Sequence, residues 1–227
     1  MIRLNMIVEG PTEQEFAARI LAPHLARFGV QLARPACVVF ARKGSQVRSR
    51  GGLPKYAVAK DHLVRWLKQE RMPDAFFTTM FDLYGLPDDF PGHEEASQLA
   101  DKYARVRKME EAFGADVADG RFLPHLQLHE FEAILFSRPG VFGEYFLNSE
   151  REVRELHRIL DTFGNPELID DGEESSPSHR ILRQLPYYQK RTAGPQLADA
   201  IGLSAIRDKC RHFSEWVTRL EQLGTSP

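Results

Sequence analysis

Cysteine and long apolar segments are both scarce in this chain. It has only 2 cysteines among 227 residues, Cys37 and Cys210, and they form no Cys-x-x-Cys pair. We therefore expect no structural zinc site of the usual cysteine-containing kind, and a reducing, cytoplasmic location is the simplest interpretation. No apolar run reaches the roughly 18 residues of a membrane helix, and Glu9 interrupts the N-terminal apolar stretch. We accordingly expect neither a membrane-spanning helix nor a signal peptide.

An excess of charge of either sign is lacking too. The 30 basic and 32 acidic residues give a net charge of -2, which excludes a uniformly basic nucleic-acid binder but allows a local basic patch. The sequence contains no Walker A motif, so we expect no hydrolysis of nucleoside triphosphates by this chain. A Gly-x-Ser-x-Gly motif is also missing, which removes the sequence support for a serine hydrolase.

Strand-like and helix-like segments alternate through the first 136 residues. The apolar runs that indicate strands cover residues 2–8, 36–41, 75–81 and 122–128, the last interrupted by Pro124. Helical spacing of apolar residues follows the first three runs, at residues 12–28, 57–70 and 93–114. This order predicts an α/β fold with a mostly parallel four-stranded sheet and helices on both faces.

The alternation ends after Ser137, and helical spacing dominates the rest of the chain. One helix is predicted to end at Gly164, and an apolar stripe from Ile206 to Leu220 marks the last helix. We therefore predict an α/β core over residues 1–140 and a helical C-terminal extension over residues 141–227, packed on the core. The two parts could also form a single domain.

Acidic residues follow three of the four predicted strands. Glu9 ends the first, Asp82 the third and Glu130 the fourth, while Glu13 and Glu132 lie close by in sequence. The carboxyl ends of parallel strands meet at one edge of a sheet, where ligands of such folds bind. Oxygen-only ligands favour Mg²⁺ or Mn²⁺, so these five residues are candidate metal ligands.

Each acid also has a structural explanation when taken alone. Glu13 would be favourable near the positive end of a helix dipole. Thr12 and Glu15 have the spacing of a capping box, so Glu15 is expected to cap the helix rather than to bind metal. Asp82 could begin a turn. The metal-site hypothesis depends on the occurrence of these acids at successive strand ends.

Several short motifs resemble a known family. Residues 8–13 (Val-Glu-Gly-Pro-Thr-Glu) resemble the Glu-Gly-x-x-Glu motif of TOPRIM domains, and residues 81–84 (Phe-Asp-Leu-Tyr) fall where those domains carry Asp-x-Asp. Further runs are Tyr-Gly-Leu-Pro at 84–87, Asp-Phe-Pro-Gly at 89–92, Leu-His-Glu-Phe-Glu-Ala at 128–133 and Tyr-Gln-Lys-Arg at 188–191. Together they resemble the bacterial TOPRIM-like family catalogued as domain of unknown function 4276, which is related to the overcoming-lysogenization-defect nucleases.

The resemblance implies a Rossmann-like, TOPRIM-like fold and a metal-dependent nuclease activity. It implies that Glu9 is a metal ligand or general base, that Asp82 is a metal ligand, and that Lys190 stabilises phosphate charge. It also suggests phage defence or DNA repair beside an ABC-type ATPase partner. This sequence departs from the motif at Tyr84, which replaces the second acid of Asp-x-Asp. The missing charge is expected from Glu130 and Glu132, and Asp88, Asp89 or weak metal binding are the alternatives. Two acids spaced two apart on a helix would not share a face, so one of the pair is expected to be a ligand.

A basic, glycine-containing segment follows the second predicted strand. It contains Arg42, Lys43, Arg48, Arg50 and Lys55 and no acidic residue. Such a loop is suited to gripping the phosphates of a nucleic acid, although a solvated surface loop would have the same composition.

Three functional hypotheses follow from the sequence. The first is a Mg²⁺- or Mn²⁺-dependent nuclease that cleaves DNA or RNA phosphodiesters, with Glu9, Asp82 and Lys190 as its catalytic residues. The second is a catalytically weak scaffold that binds nucleic acid or a partner ATPase, which Tyr84 and the near-neutral charge favour. The third is a small-molecule phosphotransferase or phosphatase.

Overall fold

A computed structural model describes residues 1–37, 53, 55–169, 172 and 174–225. Within them, all strand pairings are parallel, and the strands are β1 (Ile2–Val8), β2 (Val30–Leu32), β3 (Ala36–Cys37), β4 (Ala75–Asp82), β5 (Phe122–Leu123) and β6 (Leu126–Gln127). β2 and β3 pair with successive parts of β1, and β5 and β6 pair with successive parts of β4. The described sheet therefore has four strand positions, with β1 and β4 in the centre.

The predicted α/β class with a mostly parallel sheet is confirmed, although the outer strands differ in detail. The structure adds the short strand β2, and of the predicted strand 36–41 it describes only Ala36–Cys37. The strand predicted at residues 122–128 is divided at Pro124 into β5 and β6. Proline has no backbone N–H to donate, so it interrupts the ladder there.

Helices follow the strands. They are α1 (Pro11–Phe16), a π-helical turn (Ala17–Leu21), α2 (Ala22–Ala26), α3 (Tyr56–Gln69), α4 (His93–Ser97), α5 (Lys102–Val117), α6 (Val141–Tyr145), α7 (Glu150–Phe163), α8 (Pro177–Gln184), α9 (Lys190–Ile201), α10 (Leu203–Lys209) and α11 (Arg211–Leu223). Short 3-10 segments cover Leu83–Gly85, Phe131–Ser137 and Pro166–Leu168. None of the described helices is both long and apolar enough to cross a membrane.

The helix predicted at residues 93–114 consists of two helices. Asp101 begins the second, α5, and its carboxylate accepts a hydrogen bond from Ala104 N at 2.6 Å. A side chain that satisfies a free amide in this way favours a new helix start over continuation of the first. The last predicted helix is divided as well, because Cys210 has extended backbone between α10 and α11.

The two faces of the sheet support separate hydrophobic cores. On one face, Leu4, Met6 and Val8 of β1 pack in a cluster with residues of α1, α9, α10 and α11. On the other face, Ile7 of β1 and Phe77 of β4 pack in a cluster with residues of α3 and α5. The alternation of side chains along each strand produces this division. It confirms helices on both faces, and the C-terminal helices belong to the first core; a domain boundary near residue 140 stays a prediction.

Candidate metal centre

The first acidic pair lies where β1 passes into α1. Gly10 precedes the helix in an extended conformation, and its N–H donates to Glu13 Oε2 at 3.0 Å. Glu13 thus performs the capping that we predicted for Thr12 and Glu15, and that prediction is wrong. Glu15 is partly exposed and pairs with Arg19 one turn along the helix. Glu13 is buried instead, next to the end of the strand.

Asp82 lies at the end of the neighbouring strand. β1 and β4 pair in parallel up to Val8 and Met80, which brings the ends of both strands side by side. The backbone N–H of Asp82 donates to Glu9 Oε1 at 2.9 Å. The Oδ1 atom of Asp82 is buried and has no hydrogen-bond partner among the described residues. A buried, unsatisfied carboxylate oxygen at this place fits the ligand set expected for a divalent cation.

Glu130 and Glu132 lie beside the same strand end and share one cation. Lys190 Nζ donates to Glu130 Oε2 at 3.1 Å and to Glu132 Oε2 at 3.0 Å. Glu130 has extended backbone and immediately precedes the 3-10 segment, so the two residues are not both helical. For this reason the expectation that two acids spaced two apart would not share a face is wrong here.

Two further side chains hold this pair of carboxylates. Ser178 donates to Glu130 from its backbone N at 2.5 Å and from its hydroxyl at 3.0 Å. The Tyr188 hydroxyl donates to Glu132 Oε1 at 3.2 Å. Sequence reasoning missed both residues. Tyr188 lies two residues before Lys190 in a run already singled out, whereas no local pattern connects Ser178 with an acid 48 positions away.

The electrostatics of the cluster follow from its burial. Burial, together with the charge of Glu13, raises the pKa of Glu9 to about 8. Burial also raises the pKa of Glu132 to about 7, although the Lys190 ammonium opposes the change. Burial raises the pKa of Asp82 well above its ordinary value, and the charges of Glu9, Glu13, Glu130 and Glu132 add to the effect.

Among the residues that the structure describes, one ammonium group opposes these five acids, that of Lys190. Burial alone would lower the pKa of Lys190, but the charges of Glu132 and Glu130 raise it, so the side chain stays protonated. The charge of Lys190 also opposes the rise that burial causes in the pKa values of Glu9 and Glu13. Five carboxyl groups around one cation leave negative charge uncompensated when they ionise, and a divalent cation would supply the balance.

The structure thus brings together all six residues expected in the acidic cluster: Glu9, Glu13, Asp82, Glu130, Glu132 and Lys190. Tyr84 is 46% exposed in the turn after β4. Neither alternative acid shows a contact with the cluster among the described interactions: Asp89 accepts a hydrogen bond from Tyr56 N at 3.1 Å, and Asp88 is exposed near His93.

The predicted phosphate-binding segment is described only at its end. Lys55 is exposed and directly precedes α3. The other predicted nucleic-acid contacts of this segment lie outside the described residues; they are Arg42, Lys43, Arg48 and Arg50. Their role in gripping phosphate stays a prediction.

Comparison with known proteins identifies the family. The family model described as "Domain of unknown function (DUF4276)" matches residues 8–221, nearly the whole chain. The chain belongs to this family. The range matched by DUF4276 includes Glu9, Asp82, Glu130 and Lys190.

No curated protein matches the chain. A solved structure described as the C-terminal region of the Xanthomonas campestris pv. campestris OLD protein is similar to it, at 15% sequence identity over 98% of each chain. The TM-score of that pair is 0.37, which is too low to support a shared fold.

Proposed function

We propose that this chain is a TOPRIM-type nuclease that hydrolyses DNA or RNA phosphodiesters with the help of Mg²⁺ or Mn²⁺. The observation that carries the proposal is the convergence of five carboxyl groups on the ends of β1 and β4 beside one lysine. Sites of this composition bind hard cations through oxygen atoms. A bound divalent cation supplies an activated water and polarises the phosphoryl oxygen.

The residues of the chain have separable tasks in this proposal. Glu9 and Asp82 offer carboxylate oxygens at the strand ends, and Glu13 adds charge while it holds the Gly10 amide. Glu130 and Glu132 are the remaining two carboxylates of the cluster. Lys190 is their counter-ion in the present arrangement, and its ammonium group could turn to a phosphate once a cation neutralises these acids.

A catalytically weak scaffold is the second candidate. Tyr84 favours it, because a phenol cannot replace the second carboxylate of the Asp-x-Asp motif at neutral pH. In that case the cluster would bind cations weakly, and the chain would act by binding nucleic acid or a partner. For either candidate we propose a role in phage defence or DNA repair beside an ABC-type ATPase.

The change Glu9→Gln tests the enzymatic proposal. Gln keeps the size of the side chain but removes the charge that a hard cation requires, so metal-dependent cleavage should fall by about 100-fold or more. Nicking of plasmid and degradation of tRNA are measured over a series of divalent ions, with and without a candidate ATPase. Glu15→Gln is the matched control, since Glu15 is a partly exposed acid of α1, the helix that follows Glu9, and pairs only with Arg19 among the described contacts.

Asp82→Asn should give the same loss, and the double variant should be no worse than either single one, because each change dismantles the same site. Cleavage by Glu9→Gln at the wild-type rate would contradict the mechanism. If the wild type neither cleaves nor binds divalent ions, the scaffold is the correct function.

A further inference from the structure

A second cluster of titratable side chains lies away from the acidic centre. Glu110 comes from α5, His125 from the connection between β5 and β6, and His212 from α11. All three residues are buried. One ligand atom from each lies within 4.8 Å of the others, so three distant parts of the chain present donors to one point.

The separations between these donors suit a small metal ion. Glu110 Oε1 lies 3.5 Å from His125 Nδ1 and 3.1 Å from His212 Nε2. Tetrahedral zinc sites have bonds of about 2.0–2.1 Å to nitrogen and oxygen, which places neighbouring ligand atoms roughly 3.3 Å apart. The two printed separations from Glu110 lie on either side of that value, and the donors of the two histidines lie within 4.8 Å of each other.

The surroundings hold the donors in place before any ion binds. Leu126 N donates to Glu110 Oε1 at 2.8 Å and orients the carboxylate. The ring of His125 lies nearly parallel to the ring of Trp216 at a centroid distance of 4.1 Å, and its centroid is 4.9 Å from that of His212. Its backbone exchanges hydrogen bonds with the Thr79 hydroxyl at 2.9 Å and 3.1 Å.

We propose that Glu110, His125 and His212 form a structural zinc site. His125 Nδ1, His212 Nε2 and the Glu110 carboxylate supply three ligands, and a water molecule would complete the tetrahedral set. Two imidazoles with one carboxylate favour Zn²⁺ over Mg²⁺, whereas the acidic centre offers mainly oxygen. The ion would fasten α5 and α11 to the edge of the sheet, independently of the proposed nuclease function.

The test measures metal content and stability of the full chain. When the protein is produced with added zinc, elemental mass spectrometry should find one zinc ion per chain. Removal with a strong chelator should lower Tm, and Zn²⁺ but not Mg²⁺ should restore it. Metal-free protein given Co²⁺ should show the visible absorption of a tetrahedral cobalt site.

Variants separate this site from other sources of zinc. Glu110→Gln and His212→Gln should weaken zinc binding by about 100-fold or more, since each removes a ligand. His157→Gln, at an exposed histidine of α7, and Glu9→Gln, in the acidic centre, should keep the full zinc content. The wild-type metal measurements do not depend on whether a variant folds. Wild-type protein that lacks zinc and gives no tetrahedral Co²⁺ spectrum, or zinc that is lost with Glu9→Gln, would overturn the proposal.

Discussion

Lys190 balances two buried carboxylates with one ammonium group. Its Nζ lies about equally far from Glu130 and Glu132, at 3.1 Å and 3.0 Å, while its own side chain is 44% exposed. Ser178 and Tyr188 fix the two acids from the other side. The lysine is therefore the most exposed member of the group, and its ammonium group lies between the two buried acids and solvent.

Tyr84 allows a test in the opposite direction. Tyr84→Asp restores a carboxylate at the motif position where this chain has a phenol, so Mg²⁺ affinity should rise by roughly tenfold through an added hard ligand. Calorimetric titration of Mg²⁺ measures the change, and Tyr84→Asn is the uncharged control. Equal affinity in all three proteins would mean that this position does not contribute to metal binding.

The elements of the fold were predictable to different degrees. The central strands β1 and β4 were located correctly, because long apolar runs that end at an acid are strong local signals. Pro124 predicts an interruption of the fourth strand. The division into β5 and β6 also depends on pairing with β4, which lies far away in the sequence. The break at Asp101 has a local cause, because its side chain caps α5, whereas no local signal marks the π-helical turn or the break at Cys210.

The same distinction applies to the sites. The acids of the first centre follow strand ends, so topology alone gathers them. Glu110 and His212 are 102 positions apart and lie within helices, where nothing in the sequence marks them. Such long-range pairs become visible only when packing is known.

The contact between α9 and α1 depends on Gly194. An added Cβ would lie 3.1 Å from the Tyr188 hydroxyl and 3.3 Å from both Phe131 and Thr12. Gly194→Ala should therefore destabilise the protein by about 1–2 kcal/mol, because overpacking outweighs the helix preference of alanine. Urea unfolding measures the change. Gly120→Ala is the control, since its Cβ would meet no neighbour within 4 Å, and equal midpoints for the two variants would refute the packing argument.

The stability of the whole metal-free molecule should depend on pH through its acidic centre. Glu9 and Glu132 have folded-state pKa values of about 8 and about 7, against an ordinary value of 4.5. A carboxyl group whose pKa is raised by folding stabilises the folded state while protonated, and that stability is lost as pH rises from about 4.5 through 8. Each pH unit between the folded and unfolded pKa corresponds to at most about 1.4 kcal/mol.

Thermal unfolding between pH 5 and pH 8.5 measures this loss. Glu9→Gln should lose less stability over the range than the wild type, and Mg²⁺ should reduce the loss in the wild type by compensating the ionised acids. The difference between the two proteins isolates the contribution of Glu9 from that of every other group. Parallel curves for both would contradict the raised pKa of Glu9.

The packing of α11 against β1 and β4 also affects folding during synthesis. Trp216 donates to the Thr78 hydroxyl in β4 at 2.9 Å, and Val217 and Leu220 share a core with Leu4 and Met6 of β1. The ribosome synthesises β1 and β4 long before α11. One apolar face of the sheet therefore stays exposed to solvent until α11 has been synthesised. Nascent chains that stop before residue 211 should therefore bind holdase chaperones and resist proteases poorly, whereas release of α11 permits the final collapse.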